Sequence, residues 1–220
     1  MLNFYLMRHG EAESNLDARI IWGRSFNMKL TNRGRKQLRA LGERLNIEGI
    51  SFDELHSSPI LRCRQSIEEM LCVINFPYNK VNYNYNLVER SQGDWEGRLR
   101  SEIYTPEMLD RINNENPNFC PPNGESQNDC IKRFNRWARK FVDEYDKKNE
   151  RKDIGIIGHR NMTQCFYTYV TDGDPKSTFL VPVDNASLYL FSYENNKWVT
   201  RIKNDITHLN DIGTALSRWV

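Results

Sequence analysis

Short apolar runs alternate along this chain with longer amphipathic stretches, and that alternation narrows the possible folds more than any other feature. Residues 3–8, built on Phe4-Tyr5-Leu6-Met7, read as a short buried strand, as do Phe52 to His56 and Ile154-Gly155-Ile156-Ile157-Gly158. Val81 to Val88 alternates in a period of two and is expected to be a strand that delivers Glu89. Between the runs lie helix signals. Thr31 is a good N-cap for a helix to about Leu45, with Leu38, Leu41 and Leu45 on one face and a run of arginines, Lys36 and Glu43 on the wet side. Ser58 as N-cap with Pro59 behind it opens a helix over about 59–74, burying Ile60, Ile67, Leu71 and Ile74. Ser126-x-x-Asp129 resembles a capping box and starts a helix to about Tyr145, with Ile131, Phe134, Ala138, Phe141, Val142 and Tyr145 as its apolar stripe. A further helix spans about 161–171. Ala186 to Tyr193 and Trp198 to Lys203 pair through a turn at Glu194-Asn195-Asn196, and an extended tail follows from 204 to 220 with Thr207-His208-Leu209 packed back on the body. Strands alternating with helices indicate an α/β sandwich around a mostly parallel sheet.

At 220 residues the chain suits a single domain over 1–220. A net charge of +2 argues against a dedicated nucleic-acid surface. No stretch approaches the roughly 20 apolar residues of a membrane span, and Arg8 interrupts the first apolar run too early for a signal peptide. Cys63, Cys72, Cys120, Cys130 and Cys165 are odd in number and lack Cys-x-x-Cys spacing. That fits reduced, mostly buried thiols without structural zinc, and a cytoplasmic protein.

Arg8-His9-Gly10-Glu11 closes the first strand, and ligands of open α/β sheets bind at the carboxyl ends of strands. Taken alone it is equally a strand-end turn in which His9 caps the sheet. Arg62, Glu89 and His159, however, recur at other strand ends or helix starts. A first-turn arginine such as Arg62 opposes the helix dipole, which an anion seated over the helix start would explain. A metal site is the weaker reading, because Arg8 and Arg62 repel a cation and the histidines lack helical metal-ligand spacing. Guanidinium groups beside histidines suit a phosphate dianion. The polar loop 10–30 and the segment 98–124, broken by Pro106, Pro117, Pro121 and Pro122, are expected to line the entrance, the second as a cap-like insertion with a short helix from Thr105-Pro106 to about Asn113.

These motifs together resemble a known family. Arg8-His9-Gly10-Glu11 with Asn15, Ser58-Pro59-Ile60-Leu61-Arg62, Leu87-Val88-Glu89 with Gly93-Asp94-Trp95-Glu96-Gly97, Asn123-Gly124-Glu125-Ser126 and Gly158-His159 look like the histidine phosphatase superfamily, in its phosphoglycerate mutase-like branch. The resemblance covers most of 3–190 and implies a three-layer α/β/α sandwich that uses no metal or other cofactor. It implies His9 as a nucleophile that forms phosphohistidine, Arg8, Arg62 and His159 as the phosphoryl clamp, and Glu89 as the proton donor and later base. Asn15 and Gly23 would contact the substrate, a small phosphorylated metabolite, while Arg160 either reaches the substrate's distal part or points to solvent.

The sequence departs from the family's pattern at two places. Arg160 stands where a glycine often follows the second histidine, and Asn27-Met28-Lys29 lacks the usual proline before Leu30-Thr31. The stretch Arg90-Ser91-Gln92-Gly93 after Glu89, a carboxylate at Glu11 near the pocket, and the polar 98–124 segment favour the phosphatase branch over phosphoryl-transferring mutases. A binding module without turnover is the alternative of a different class.

Overall fold

A computed structural model describes residues 1–213. Six strands form one sheet in the order β3-β2-β4-β1-β5-β6, where β1 is Leu2–Arg8, β2 Glu54–Ser57, β3 Asn82–Tyr83, β4 Lys152–Gly158, β5 Leu188–Glu194 and β6 Lys197–Asp205. β1, β4, β2 and β3 run parallel, and β5 and β6 close the other edge with antiparallel pairings. The helices are α1 Glu13–Leu16, α2 Asn32–Ile47, α3 Leu61–Leu71, α4 Arg100–Ile103, α5 Pro106–Glu115, α6 Gln127–Lys148 and α7 Arg160–Val170. The sequence of the helix from Ser126 produces the expected reciprocal cap, with Asp129 N–H donating to Ser126 Oγ at 3.1 Å.

The three layers follow from the two-residue period of the central strands. Leu2, Phe4 and Leu6 of β1 and Ile154 and Ile156 of β4 pack with Phe134, Phe141 and Phe166 from α6 and α7. Tyr5 and Met7 of β1 and Ile157 of β4 point the other way, against Leu38, Leu41, Leu45, Ile67 and Met70 from α2 and α3. Because both faces are covered, the central strands read as unbroken apolar runs. A third, smaller apolar cluster lies apart from these. It joins Ile21 of the 10–30 loop to Trp95, Ile103 and Phe119, with Met108 and Ile112 of α5 against it.

Several boundaries differ from expectation. The alternating stretch 81–88 yields only the two-residue β3. Asn84 Oδ1 accepts the Asn86 N–H at 2.8 Å, and a 3-10 turn over Tyr85–Leu87 follows. Asparagine side chains compete with the ladder in this way, and a single exposed aromatic, Tyr85, does not hold a strand. The N-cap of α3 is Ile60, so Ser58 and Pro59 stay outside the helix, and Arg62 remains in its first turn. The 10–30 loop contains the short α1. Thr207–Leu209 is a 3-10 turn with Leu209 buried against the α2 side, while 214–220 of the expected tail lies outside the described residues. Cys63, Cys130 and Cys165 are buried free thiols, whereas Cys72 and Cys120 are exposed. Among the described residues no helix is long and apolar enough to cross a membrane.

Candidate active site

In register, Arg8 lies beside Gly158 and Ser57 beside Ile157, so β1, β4 and β2 end at one rim. The chain beyond each strand therefore brings its polar residues to the same place. His9 follows β1 and its N–H donates to the Gly158 carbonyl at 3.1 Å. His159 is the N-cap residue of α7, and the two imidazole rings stand 5.3 Å apart at 62°. The glycine after His9 is sterically required, since a Cβ on Gly10 would lie 2.4 Å from the Gly34 carbonyl of α2.

His9 Nδ1 is 2.7 Å from the Gly10 carbonyl oxygen. A carbonyl only accepts, so this bond assigns the ring proton to Nδ1 and the lone pair to Nε2. Arg62 Nε donates to that Nε2 at 3.2 Å. Burial, followed by the charges of Arg62 and Arg8, holds the His9 pKa well below its ordinary value, so the imidazole is neutral near pH 7. Burial and Arg62 do the same to His159. His159 Nε2 meets Ser58 Oγ at 2.8 Å and Cys63 Sγ at 3.4 Å. Burial pushes the Cys63 thiol up to about 12, which leaves it an inert wall.

The two arginines are held by carbonyls. Arg62 Nη1 donates to the Ser25 carbonyl at 2.8 Å and Nη2 to the Gly23 carbonyl at 3.2 Å. With Nε on His9, two of its five N–H bonds remain for a ligand. Arg8 Nη1 donates to the Val183 carbonyl at 2.7 Å, and its buried Nε has no partner among the described residues. Burial and the neighbouring Arg160 charge pull the Arg8 pKa down to about 9. These are cations gathered with too few carboxylates, an arrangement that suits a bound anion.

Glu89 reaches the rim from an irregular segment. Its Oε1 accepts the Arg90 N–H at 2.8 Å and its Oε2 accepts the Asn161 N–H of the first turn of α7 at 3.2 Å. The carboxylate thus also meets the positive end of that helix. The Arg160 side chain, beside Asn161, makes no hydrogen bond or ion pair with a described residue. Burial holds its pKa below the ordinary value, against the charges of Glu89 and Asp184.

The remaining candidates serve the frame as much as the opening. Asn15 Oδ1 accepts from Ala12 N–H at 2.9 Å and from Asn185 Nδ2 at 3.1 Å, which leaves its NH₂ to act as a donor. Gly23 contributes its carbonyl to Arg62 and has φ +46, with Glu96 Oε1 only 2.3 Å from where a Cβ would stand. The Glu11 carboxylate is already partnered. It is buried at the start of α2, accepting from Thr31 Oγ1 at 2.8 Å and paired with Arg33 at 3.2 Å, so it carries no argument about the reaction. Sequence reasoning missed Ser25, Val183, Asn185 and Arg133. The first two act through backbone carbonyls, which no side-chain pattern advertises. Asn185 Nδ2, which donates to the His9 carbonyl at 3.2 Å, lies in a loop with no motif.

Comparison with known sequences gives the family. The sequence model of the histidine phosphatase superfamily (branch 1) matches residues 4–206. The chain belongs to the histidine phosphatase superfamily. Fructose-2,6-bisphosphatase TIGAR of Xenopus tropicalis is 28% identical over 169 residues, which cover 73% of this chain and 58% of the frog protein. Phosphoserine phosphatase 1 of Hydrogenobacter thermophilus is 25% identical over 213 residues, 96% of each chain. Among solved structures, a mutant phosphoserine phosphatase of Entamoeba histolytica in complex with phosphoserine superposes with a TM-score of 0.78 at 22% identity, covering 95% of this chain and 100% of that one. The fold is that of the superfamily's phosphoglycerate mutase-like phosphatases, and the named relatives are phosphatases.

Proposed function

We propose that this protein is a phosphatase that hydrolyses a small phosphate monoester through a phosphohistidine on His9. The observation that carries this reading is the state of His9. It is buried and neutral, its proton is anchored on the Gly10 carbonyl, and its Nε2 lone pair faces the Arg62 guanidinium. In the first step the Nε2 lone pair forms the N–P bond as the ester P–O bond breaks, and the leaving oxygen takes a proton from the Glu89 carboxyl. In the second, Glu89 takes a proton from water, the water oxygen bonds to phosphorus, and the P–N electrons return to Nε2. Arg8, Arg62 and His159 stabilise the charge on the equatorial oxygens throughout, with Asn15 as a neutral donor. The positive charge a metal would bring is supplied here by guanidinium groups.

The segment 98–124 is read as a cap on a single domain, with α5 leaning on the small cluster of Trp95 and Phe119. Arg160, half-buried and without an ion-pair partner among the described residues, extends the cationic surface beyond the phosphate grip. Its placement supports a substrate whose remainder is also anionic. Fructose 2,6-bisphosphate and phosphoserine, named for the relatives, both satisfy that chemistry.

The test is release of inorganic phosphate from a panel of phosphorylated metabolites, with p-nitrophenyl phosphate as a generic ester. Turnover in the presence of a chelator, lost in His9→Ala together with an acid-labile, base-stable phosphate label, is the expected result. Full activity in His9→Ala would overturn the mechanism. No turnover of any ester would leave a binding module. Isomerisation of 3-phosphoglycerate that needs a bisphosphate primer would make the protein a mutase.

A further inference from the structure

We propose that Arg24 is a positioning residue that ties the phosphate grip to the proton donor, an inference that rests on reading Glu89 as the acid. In Gly23-Arg24-Ser25 the two outer carbonyls hold the Arg62 guanidinium at 3.2 and 2.8 Å. The middle side chain reaches the other half of the site. Arg24 Nε donates to the Glu89 carbonyl at 2.9 Å, and Nη2 lies 2.7 Å from Glu125 Oε1. Glu125 is itself clasped by Arg133, through Nε at 2.9 Å and Nη2 at 3.0 Å, and it accepts the Ser91 N–H at 3.2 Å. Arg133 Nη1 then donates to the Asn86 carbonyl at 2.6 Å. Residues 86–91 are thus gripped from two sides by guanidinium groups.

The grip matters because Glu89 has no regular structure to hold it. The segment after the 3-10 turn at Tyr85–Leu87 belongs to no strand or helix. Bonds to backbone carbonyls therefore take the place of a sheet ladder. The Arg24, Glu125 and Arg133 side chains are 27%, 17% and 14% exposed, so water competes poorly for them. Glu96 completes the link, its Oε1 accepting both the Arg24 and the Gln92 N–H at 3.0 Å. A lysine at position 24 retains the charge but not the fork that spans the Glu89 carbonyl and Glu125 together.

The experiment measures phosphohistidine formation by rapid quench, with an alkyl phosphate ester and with p-nitrophenyl phosphate. Nitrophenolate departs without a proton, so a misplaced acid is felt only by the alkyl ester. Arg24→Gln and Arg24→Lys are each expected to slow the alkyl ester by about 10-fold or more, in line with the cost of misplacing a catalytic group by an ångström or less. The nitrophenyl ester and KM should change little, and in a Glu89→Gln background neither substitution should slow the step further. Equal slowing of both esters, a rise in KM alone, or an effect that adds to Glu89→Gln would overturn the proposal and leave Arg24 a support for the Arg62 loop. If Glu89→Gln alone slowed both esters equally, the acid reading would fall first and this proposal with it. Arg133→Gln serves as a second probe of the same network should the Arg24 variants fold poorly, and ester-selective slowing is expected there too.

Discussion

His9 and Arg62 stand at the end of β1 and the start of α3 with their side chains buried, His9 bonded to the Gly10 carbonyl and Arg62 to the Gly23 and Ser25 carbonyls of the 10–30 loop. Glu89 stands on a stretch without ladder or helix and is kept in place by N–H groups and by the Arg24–Glu125–Arg133 cluster. His9 and Arg62 start from elements of the core, β1 and α3, whereas Glu89 is held by charges on the rim. The difference separates what the core alone makes rigid from what local electrostatics must hold.

The largest effect should come from the rigid half. His9→Ala should abolish nearly all phosphate release while leaving the melting temperature close to that of the wild type, because the ring's main partners are a neighbouring carbonyl and a ligand-facing arginine. A variant that unfolds would instead make His9 a structural keystone.

Glu89→Gln should lower kcat on the order of 100-fold for alkyl esters, with KM nearly unchanged. Arg62→Lys should raise KM and lower kcat together, since a lysine has no fork for His9, two carbonyls and phosphate at once. Matching KM and kcat changes in the two variants would dissolve the distinction between grip and acid.

The buried histidines and Glu125 also titrate in different windows. The four histidines all have folded pKa values below the ordinary 6.5, chiefly through burial, and His208 falls to about 4. Below about 6.5 the unfolded chain takes up protons that the folded chain refuses, so this stability is present at neutral pH and lost as pH falls. Each histidine contributes up to about 1.4 kcal/mol per pH unit in that range. Glu125 is held below its ordinary 4.5 by Arg133 and Arg24 against the opposing effect of burial, so its contribution is lost only at lower pH. Urea midpoints should fall steadily from about pH 7 to 5 and fall again below 4; a flat profile between 7 and 5 would contradict the buried neutral histidines.

The smallest contrast is dynamic. No residue of α5 is buried, whereas α6 buries seven. Amide exchange should therefore be fast throughout α5 and slow along the apolar face of α6. Equal protection of the two helices would mean that the cap segment is as rigid as the sandwich.

Much of this is legible in the sequence. The alternation of strand and helix signals was enough for the α/β class, and Thr31 and Ser126 cap their helices as their side chains suggest. Arg8, His9, Arg62, Glu89 and His159 do converge on one rim. Misreadings arose where local chemistry served two purposes. The alternating asparagines of 82–86 matched a strand but made an Asx turn.

By itself, then, the sequence determined what repeats locally, namely the periods of two and of 3.6, the caps, and the residue types that bind phosphate. Those depend on side-chain size, polarity and reach along the backbone. Tertiary structure alone decided which carbonyls hold Arg62 and Arg8, which proton His9 keeps, and that Arg24 meets Glu125 and Glu89 across gaps of 101 and 65 residues. Such contacts depend on where distant segments end in space. Backbone carbonyls are identical at every position, so no sequence pattern marks the few that the fold turns toward the site.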